Sequence, residues 1–306
     1  VSAHADTSPW TTRRLLAWMQ EAFQKKGLDA PRKQAEMLLE HVIGCKTLEL
    51  YTSPDRPASL LERETLRNLV QRALKHEPIQ YLVGKERFFG LEFLVDRRVL
   101  IPRPETQTIV EEVLQHHRAR HGSAAAKGEG LFIADICTGS GCIAIALLKN
   151  LPGARAVASD ISPDALDVAR INAERHGVTE RIDFLQGDLL APLDEHPIAR
   201  AAASIDYLVS NPPYIPDDEW PAVEPNVKDY EPHTALRGGP DGLAFVRRII
   251  ADGPRHLRPR GLMLIEVAES RAHEAAELAR AHPDLTDVRT LKDDFGKPRV
   301  IVAARA

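Results

Sequence analysis

From Leu131 onward, short apolar runs alternate with segments of helical periodicity, and this alternation limits the possible folds more than any other feature of the chain. The runs cover 131–136, 154–159, 182–186, 205–210 and 262–267. Each has the length of a strand buried on both faces, and the helix-like segments between them can cover those faces. Such a pattern predicts a parallel sheet wrapped by helices. With 306 residues, 43% of them hydrophobic, the chain can bury this core and a second, smaller one.

The first part of the chain obeys a different period. Leu15, Met19 and Phe23 recur at four-residue spacing until Gly27, and Ala35, Leu38, Leu39 and Val42 form a second apolar face between Pro31 and Gly44. Ser59 followed by Glu62 is a capping-box start for a helix carrying Leu66, Leu69, Val70, Ala73 and Leu74. After Pro78 the period changes, and 86–95 offers two aromatic-rich strands around Gly90. This reading gives a helical domain over 1–84, a hairpin linker over 85–100 acting as the hinge, and the sheet domain over 101–306.

The stretch 115–130, rich in His, Ala, Gly and basic residues, reads as an exposed linker ending a helix. Its His116, His117 and His121 have no acidic or thiol partners nearby in sequence, so no metal site is expected. Three cysteines, Cys45, Cys137 and Cys142, form no C-x-x-C pair and read as reduced thiols. A net charge of −4 argues against gripping nucleic acid by bulk electrostatics. No apolar run reaches the about 18 to 20 residues that span a bilayer, and the first residues lack the order of a secretory signal, so the expected location is the cytoplasm, with no membrane partner.

Two motifs carry chemistry. Asp135-Ile-Cys-Thr-Gly139-Ser-Gly141-Cys-Ile-Ala144 follows an apolar run and opens an apolar helix. Gly139 and Gly141 can form a tight turn that lets a ligand approach backbone N–H groups at a helix N-terminus. Asp160, at the end of the next strand, can accept hydrogen bonds from the vicinal hydroxyls of a ribose. Together they indicate a nucleoside cofactor without choosing it, since Gly139-x-Gly141-x-x-Ala144 also satisfies the dinucleotide fingerprint of an oxidoreductase.

Asn211-Pro212-Pro213-Tyr214 follows the strand at 205–210. Two prolines stiffen the chain and leave its carbonyls free to accept. An amide or arylamine nitrogen is a weak nucleophile. Accepting its two N–H groups on the Asn211 side-chain oxygen and the Pro212 carbonyl would direct its lone pair and stabilise developing positive charge. A DNA adenine-N6 methyltransferase would use the same four residues on a flipped base. A nicotinamide oxidoreductase would leave them idle, and a non-catalytic binding module would leave both motifs idle.

Residues 135–141 with Asp160 and 211–214 resemble class I methyltransferases that act on amide or exocyclic amino nitrogens. Over nearly its whole length the chain is similar to the protein-(glutamine-N5) methyltransferase family that modifies peptide chain release factors. The resemblance extends to Phe88-Phe-Gly-Leu-Glu-Phe-Leu-Val95, to Val99-Leu-Ile-Pro-Arg-Pro-Glu-Thr106, to Glu231-Pro232 and to Gly239-Pro-Asp-Gly-Leu243. It implies an α/β fold, a Rossmann-like, mostly parallel seven-stranded sheet with an N-terminal helical bundle joined by a β-hairpin. It implies S-adenosyl-L-methionine as cofactor, contacting Cys137, Thr138, Gly139, Ser140, Gly141, Asp160, Leu189 and Asn211. Asn211 and Pro212 would be catalytic, and Asn211, Pro212, Pro213 and Tyr214 would hold the substrate. Cys137 stands where a glycine is frequent, and Leu189 follows Asp188 where an aromatic can pack on the adenine. The implied partner is the Gly-Gly-Gln loop of release factors 1 and 2. A sister family acting on ribosomal protein L3 shares 137–142 and 211–214 but tends to carry Ser-Pro-Ile where this chain has Pro104-Glu105-Thr106.

Overall fold

The computed structural model describes residues 9–122, 127–199 and 203–306. The reading of the first eight residues and of 123–126 therefore lies outside the described residues, as do the contacts of the His121 side chain. The chain divides into two units. One runs to Gly84 and includes Pro225–Tyr230; the other comprises Lys85–Glu224 and Glu231–Ala306.

The first unit is helical: α1 (Thr12–Lys26), α2 (Pro31–Ile43), α3 (Thr47–Thr52), α4 (Leu60–Ala73) and α5 (Ile79–Val83). Thr11 caps α1, and Gly27 ends it in the left-handed conformation with its N–H bonded to the last-turn carbonyls of Gln24 and Phe23. The capping box of α4 forms as its spacing predicts: Ser59 Oγ accepts from Glu62 N at 3.2 Å, and Glu62 Oε2 accepts from Ser59 N at 2.7 Å. Leu15, Met19, Phe23, Ala35, Leu38, Leu39, Leu66 and Val70 are buried together, so the helical spacing read from the sequence is the spacing of the core face. From the later segment, the short α9 (Pro225–Lys228) is followed by Tyr230, whose hydroxyl donates to the Lys75 carbonyl.

In the second unit the hairpin comes first. β1 (Lys85–Phe88) and β2 (Leu91–Leu94) pair antiparallel around Phe89 and Gly90, both with positive φ, as a tight two-residue turn requires. Phe88 and Phe93 meet edge to face and are buried in the same core as the sheet. The hairpin packs as a piece of this unit, because its aromatic residues lose much water-exposed area against the sheet core.

The sheet then follows. β3 (Phe132–Ile136), β4 (Arg155–Asp160), β5 (Ile182–Gln186), β6 (Ile205–Ser210), β7 (Leu257–Glu266), β8 (Leu285–Lys292) and β9 (Pro298–Arg305) stand in the order β5-β4-β3-β6-β7-β9-β8. Every neighbouring pair from β5 to β7 is parallel, and β9 runs antiparallel to both of its neighbours. Around it lie α6 (Gln107–His121), α7 (Cys142–Asn150), α8 (Pro163–Arg175), α10 (Ala244–Asp252) and α11 (Ala272–Ala281). Alternate strand residues face opposite layers. Ile133, Tyr207, Val209 and Leu264 pack with α6 and α7, whereas Ala134, Leu208, Met263 and Ile265 pack with α10 and α11. This is the Rossmann-like, mostly parallel seven-stranded sheet that the resemblance implies.

Two expectations change. Residues 115–121 belong to α6 and not to a loop: His117 is buried, and His116 Nδ1 lies 3.0 Å from the Tyr207 hydroxyl. The apolar run at 262–267 is only the second half of β7. Among the described residues no helix is long and apolar enough to cross a membrane.

One buried side chain ties the hairpin to the sheet. Asn172 of α8 is fully buried; its Oδ1 accepts from Leu94 N at 2.7 Å, and its Nδ2 donates to Leu94 O at 3.1 Å and to Ser140 O at 3.0 Å. Asn172→Ala leaves three backbone groups, two on half-buried Leu94 and one on buried Ser140, without this partner, each costing about 1 kcal/mol. Urea denaturation should show a loss of about 3 kcal/mol. A loss below about 1 kcal/mol would mean that the hairpin is held by its aromatic packing alone.

Candidate active site

The parallel strands end in front of a cavity of about 560 Å³, a volume suited to a cofactor-sized ligand. Cys137, Thr138, Gly139, Ser140, Asp160, Leu189, Asn211 and Pro213 line it. Gly141, Pro212 and Tyr214 are not among the residues lining it.

The loop between β3 and α7 is built on Asp135. Its carboxylate is entirely buried, and burial pushes its pKa up to about 7. Oδ2 accepts from Thr138 Oγ1 at 2.7 Å and from Ala144 N at 3.2 Å, bridging the loop to the first turn of α7, while Oδ1 has no partner. Gly139 has φ 54°, and a Cβ built on it would meet nothing within 4 Å, so the backbone here is open to a ligand. Gly141, at φ 80°, serves packing instead: a Cβ there would stand 2.9 Å from Ile145 Cδ1 and 3.3 Å from Ala169 Cβ, prising α7 from α8.

Asp160 is held rigidly. Gly139 N donates to its Oδ2 at 2.9 Å and Ser162 N to its Oδ1 at 3.0 Å. Burial raises its pKa, and these backbone donors oppose the rise. Each oxygen keeps a second lone pair, so two hydroxyls can still be bound. Beside it, Ile161 lines the cavity with 59% of its surface exposed, an apolar face that the sequence reading missed. An exposed isoleucine directly after the strand-end acid was the available clue.

Cys137 and Leu189, the two departures from the family pattern, both adopt left-handed backbone, with φ of 61° and 52°. For residues with a Cβ this costs about 1 kcal/mol or more each, which accounts for a glycine being frequent at the first position. Burial raises the Cys137 thiol pKa and pushes that of Cys142 up to about 12, so neither is a thiolate nucleophile at neutral pH.

Around Asn211 the contacts are specific. Its Nδ2 donates to Thr106 Oγ1 at 3.1 Å. The Tyr214 hydroxyl donates to Glu266 Oε1 at 3.1 Å, turning this side chain to an internal acid. Glu266 is fully buried at the end of β7, with its pKa pushed up to about 7 by burial. Sequence reasoning missed Glu266 and gave Thr106 no chemical role. An acid closing an apolar strand was the only sign of the first. The turn carrying Thr106 (Pro104–Thr106) is anchored from behind: Glu231 accepts from Ile101 N at 3.0 Å and from the Arg103 guanidinium at 2.5 Å.

Similarity to known proteins follows the same division. The PrmC N-terminal domain family matches residues 14–84, and the methyltransferase domain family matches residues 133–229. The release factor glutamine methyltransferase of Chlorobaculum tepidum is 40% identical over 93% of this chain and 94% of its own. That of Geobacter sulfurreducens is 39% identical over 95% and 96%. The chain belongs to the release factor glutamine methyltransferase family. Among solved structures, the release factor-specific protein-(glutamine-N5) methyltransferase of Alicyclobacillus acidocaldarius is 30% identical, with a TM-score of 0.41, covering 70% of this chain and 99% of that one.

The family segment 239–243 packs behind the 211–214 loop, and two glycines permit it. Ile215 N donates to Leu236 O and Gly238 N to Ile215 O. A Cβ on Gly238 would lie 2.7 Å from Tyr214 Cα, and one on Gly242, whose φ is 74°, would collide with the Tyr214 carbonyl oxygen. Gly242→Ala should therefore displace the 211–214 loop while leaving the Asp160 side of the cavity intact. Methyl transfer should fall by a factor of about 100, as when a positioned polar contact is lost, with cofactor affinity by calorimetry changed less than about 3-fold. Unchanged turnover would show that the loop yields without consequence.

Proposed function

We propose that this methyltransferase transfers the methyl group of S-adenosyl-L-methionine to the side-chain amide nitrogen, N5, of the glutamine in the Gly-Gly-Gln loop of release factors 1 and 2. The observation that carries the reading is the presence in one cavity of the rigid Asp160 carboxylate and of Asn211, whose amide nitrogen is already committed to Thr106. Such an arrangement suits a nucleoside cofactor at one end and an acceptor for a planar NH₂ group at the other.

The residues fit the cofactor. Asp160 offers two fixed acceptors for ribose hydroxyls, Gly139 leaves room beside the backbone, and Ile161 offers an apolar face on the cavity. When bound, S-adenosyl-L-methionine supplies an electrophilic methyl group on a sulfonium. Asn211 Oδ1 and the Pro212 carbonyl accept the two amide N–H groups, orient the nitrogen lone pair and stabilise the positive charge that nitrogen gains. Pro213 and Tyr214 shape and brace this end. The N-protonated product is acidic enough to give its proton to water, so no strong base is required.

Both relatives named above carry the release-factor name, which favours this substrate over ribosomal protein L3. We assign recognition of the protein partner to the helical unit over 1–84, the catalytic unit being 101–306 with the hairpin.

Asp160→Ala removes two charge-assisted hydrogen bonds, and at about 1.5 kcal/mol each the affinity for S-adenosyl-L-methionine should drop about 100-fold by calorimetry. Binding at the parental level would remove Asp160 from the cofactor site. Mass spectrometry should find one added methyl on the loop glutamine of release factor 1 or 2 and none on its Gln→Glu variant, which lacks the N–H pair. An intact factor should outperform a short Gly-Gly-Gln peptide in kcat/KM, as recognition beyond the loop requires. Preferential methylation of L3 would overturn the substrate while sparing the glutamine chemistry.

A further inference from the structure

Among the described residues of the second unit only two large apolar side chains are more than half exposed, Ile161 at 59% and Phe295 at 70%. Ile161 is accounted for, since it lines the cavity. Phe295 is not, and its place in the fold follows from strand register. Val300 of β9 is level with Glu266, the last residue of β7, and Pro298 is level with Lys292, the last residue of β8. Because β9 runs antiparallel to β7, the turn at 293–297 projects beyond the same sheet edge that carries Asp160 and Asn211.

This turn is fixed by its own hydrogen bonds. Asp293, itself buried, accepts from Phe295 N at 3.0 Å and from Lys297 N at 2.9 Å through Oδ1, while its Oδ2 lies 3.5 Å from the Arg299 guanidinium. Asp293 N donates to Lys297 O and Gly296 N to Asp293 O, and Gly296 takes the positive φ of 78°. Val267 N donates to Arg299 O, joining the base of the turn to the chain that leaves β7. An exposed aromatic ring on a backbone already held in one conformation loses little freedom when it is covered, which is the property of an anchor residue.

The surface from this turn to the cavity is continuous. Lys297 Nζ lies 3.1 Å from Glu269, and the next residue, Ser270, donates to Glu219 Oε1 at 3.1 Å. Beside Glu219, Trp220 meets His233 edge to face at 5.0 Å and lies under the Arg237 guanidinium. His233 and Arg237 line the cavity itself. A folded protein that presents a glutamine to the cavity has its neighbouring surface over this rim.

We propose that Phe295, on its fixed turn, is a docking contact for the folded protein substrate outside the methylated loop, and that it takes an apolar patch of that protein. The inference rests on the release-factor reading of the function and gives the catalytic unit a recognition surface of its own, in addition to the helical unit. Phe295 does not line the cavity, so it acts in capture of the substrate and not in the chemical step.

The test uses the full chain with S-adenosyl-L-methionine and two substrates, intact release factor and a short Gly-Gly-Gln peptide. Phe295→Ala and Phe295→Asp change an exposed side chain and leave Asp293 with its backbone donors. Both should raise KM for the intact factor about 10-fold, as expected for the loss of one anchor. Their kcat and their affinity for S-adenosyl-L-methionine should stay within about 2-fold of the parent. On the peptide, kcat/KM should remain at the parental level, because the peptide is too short to reach the turn. Parental KM for the intact factor in either variant would overturn the docking role. An equal loss of kcat/KM on peptide and intact factor would overturn it as well, since Phe295 would then act through the cavity. If the parent chain itself leaves release factor unmethylated, the functional reading falls and the docking assignment falls with it.

Discussion

Parallel register is the constraint on which the rest of this structure depends. Ile136 is level with Ser159 on one side and with Ser210 on the other, and Ser210 is level with Ile265. The residues that come next, Cys137, Asp160, Asn211 and Glu266, therefore stand in one row along the carboxyl edge of four adjacent strands. No residue in that row is near another in sequence. A sheet of parallel strands can bring them together because every crossover returns the chain to the same edge. The 137–141 loop, Asp160, Asn211 and Glu266 are in this sense one feature repeated at four strand ends.

The row is expensive to build. At Cys137 and Leu189 the chain turns away from the sheet through left-handed backbone despite carrying side chains, and at Gly139 and Gly141 it does so without them. Asn172 then ties Ser140 to the hairpin, and Glu231 ties the 101–103 segment behind Thr106. Buried polar side chains that satisfy backbone groups outside regular structure are what hold such turns in one conformation. Rigidity at the strand ends is thus drawn from groups that lie one layer behind the cavity.

Much of this was legible in the sequence. The runs at 182–186 and 205–210 coincide with β5 and β6, and the 59–62 capping box forms as written, because apolar runs and caps are local patterns. β8 was not read as a strand because most of its residues are at least partly exposed and it offers no continuous apolar run; its partner β9 is needed to define it. The last turns of α6, beyond 115, are not legible because His116 and His117 look polar, yet one is buried and the other meets Tyr207, a residue of β6 far along the chain. At the site, the residues of the recognised motifs were legible, and the residues that touch them from distant segments were not. Thr106 and Glu266 lie 160 positions apart, and nothing local in either segment names the other.

Glu266 and Asp135 are the two places where the fold departs from what stability alone would select. Each is a fully buried carboxylate with one oxygen lacking a hydrogen bond. Burial raises both pKa values to about 7, above the range of an unfolded chain. The folded state consequently holds these protons more tightly than the unfolded state does. Their contribution to stability is most favourable below the ordinary carboxylate range and is lost as pH rises toward 7. At neutral pH an apolar residue of similar volume would stabilise the core more, as with buried ion pairs replaced by hydrocarbon. Local choices that oppose stability are found where a fold serves a ligand or a reaction, and these two lie under the 138–144 turn and against Tyr214, at the strand ends that face the cavity.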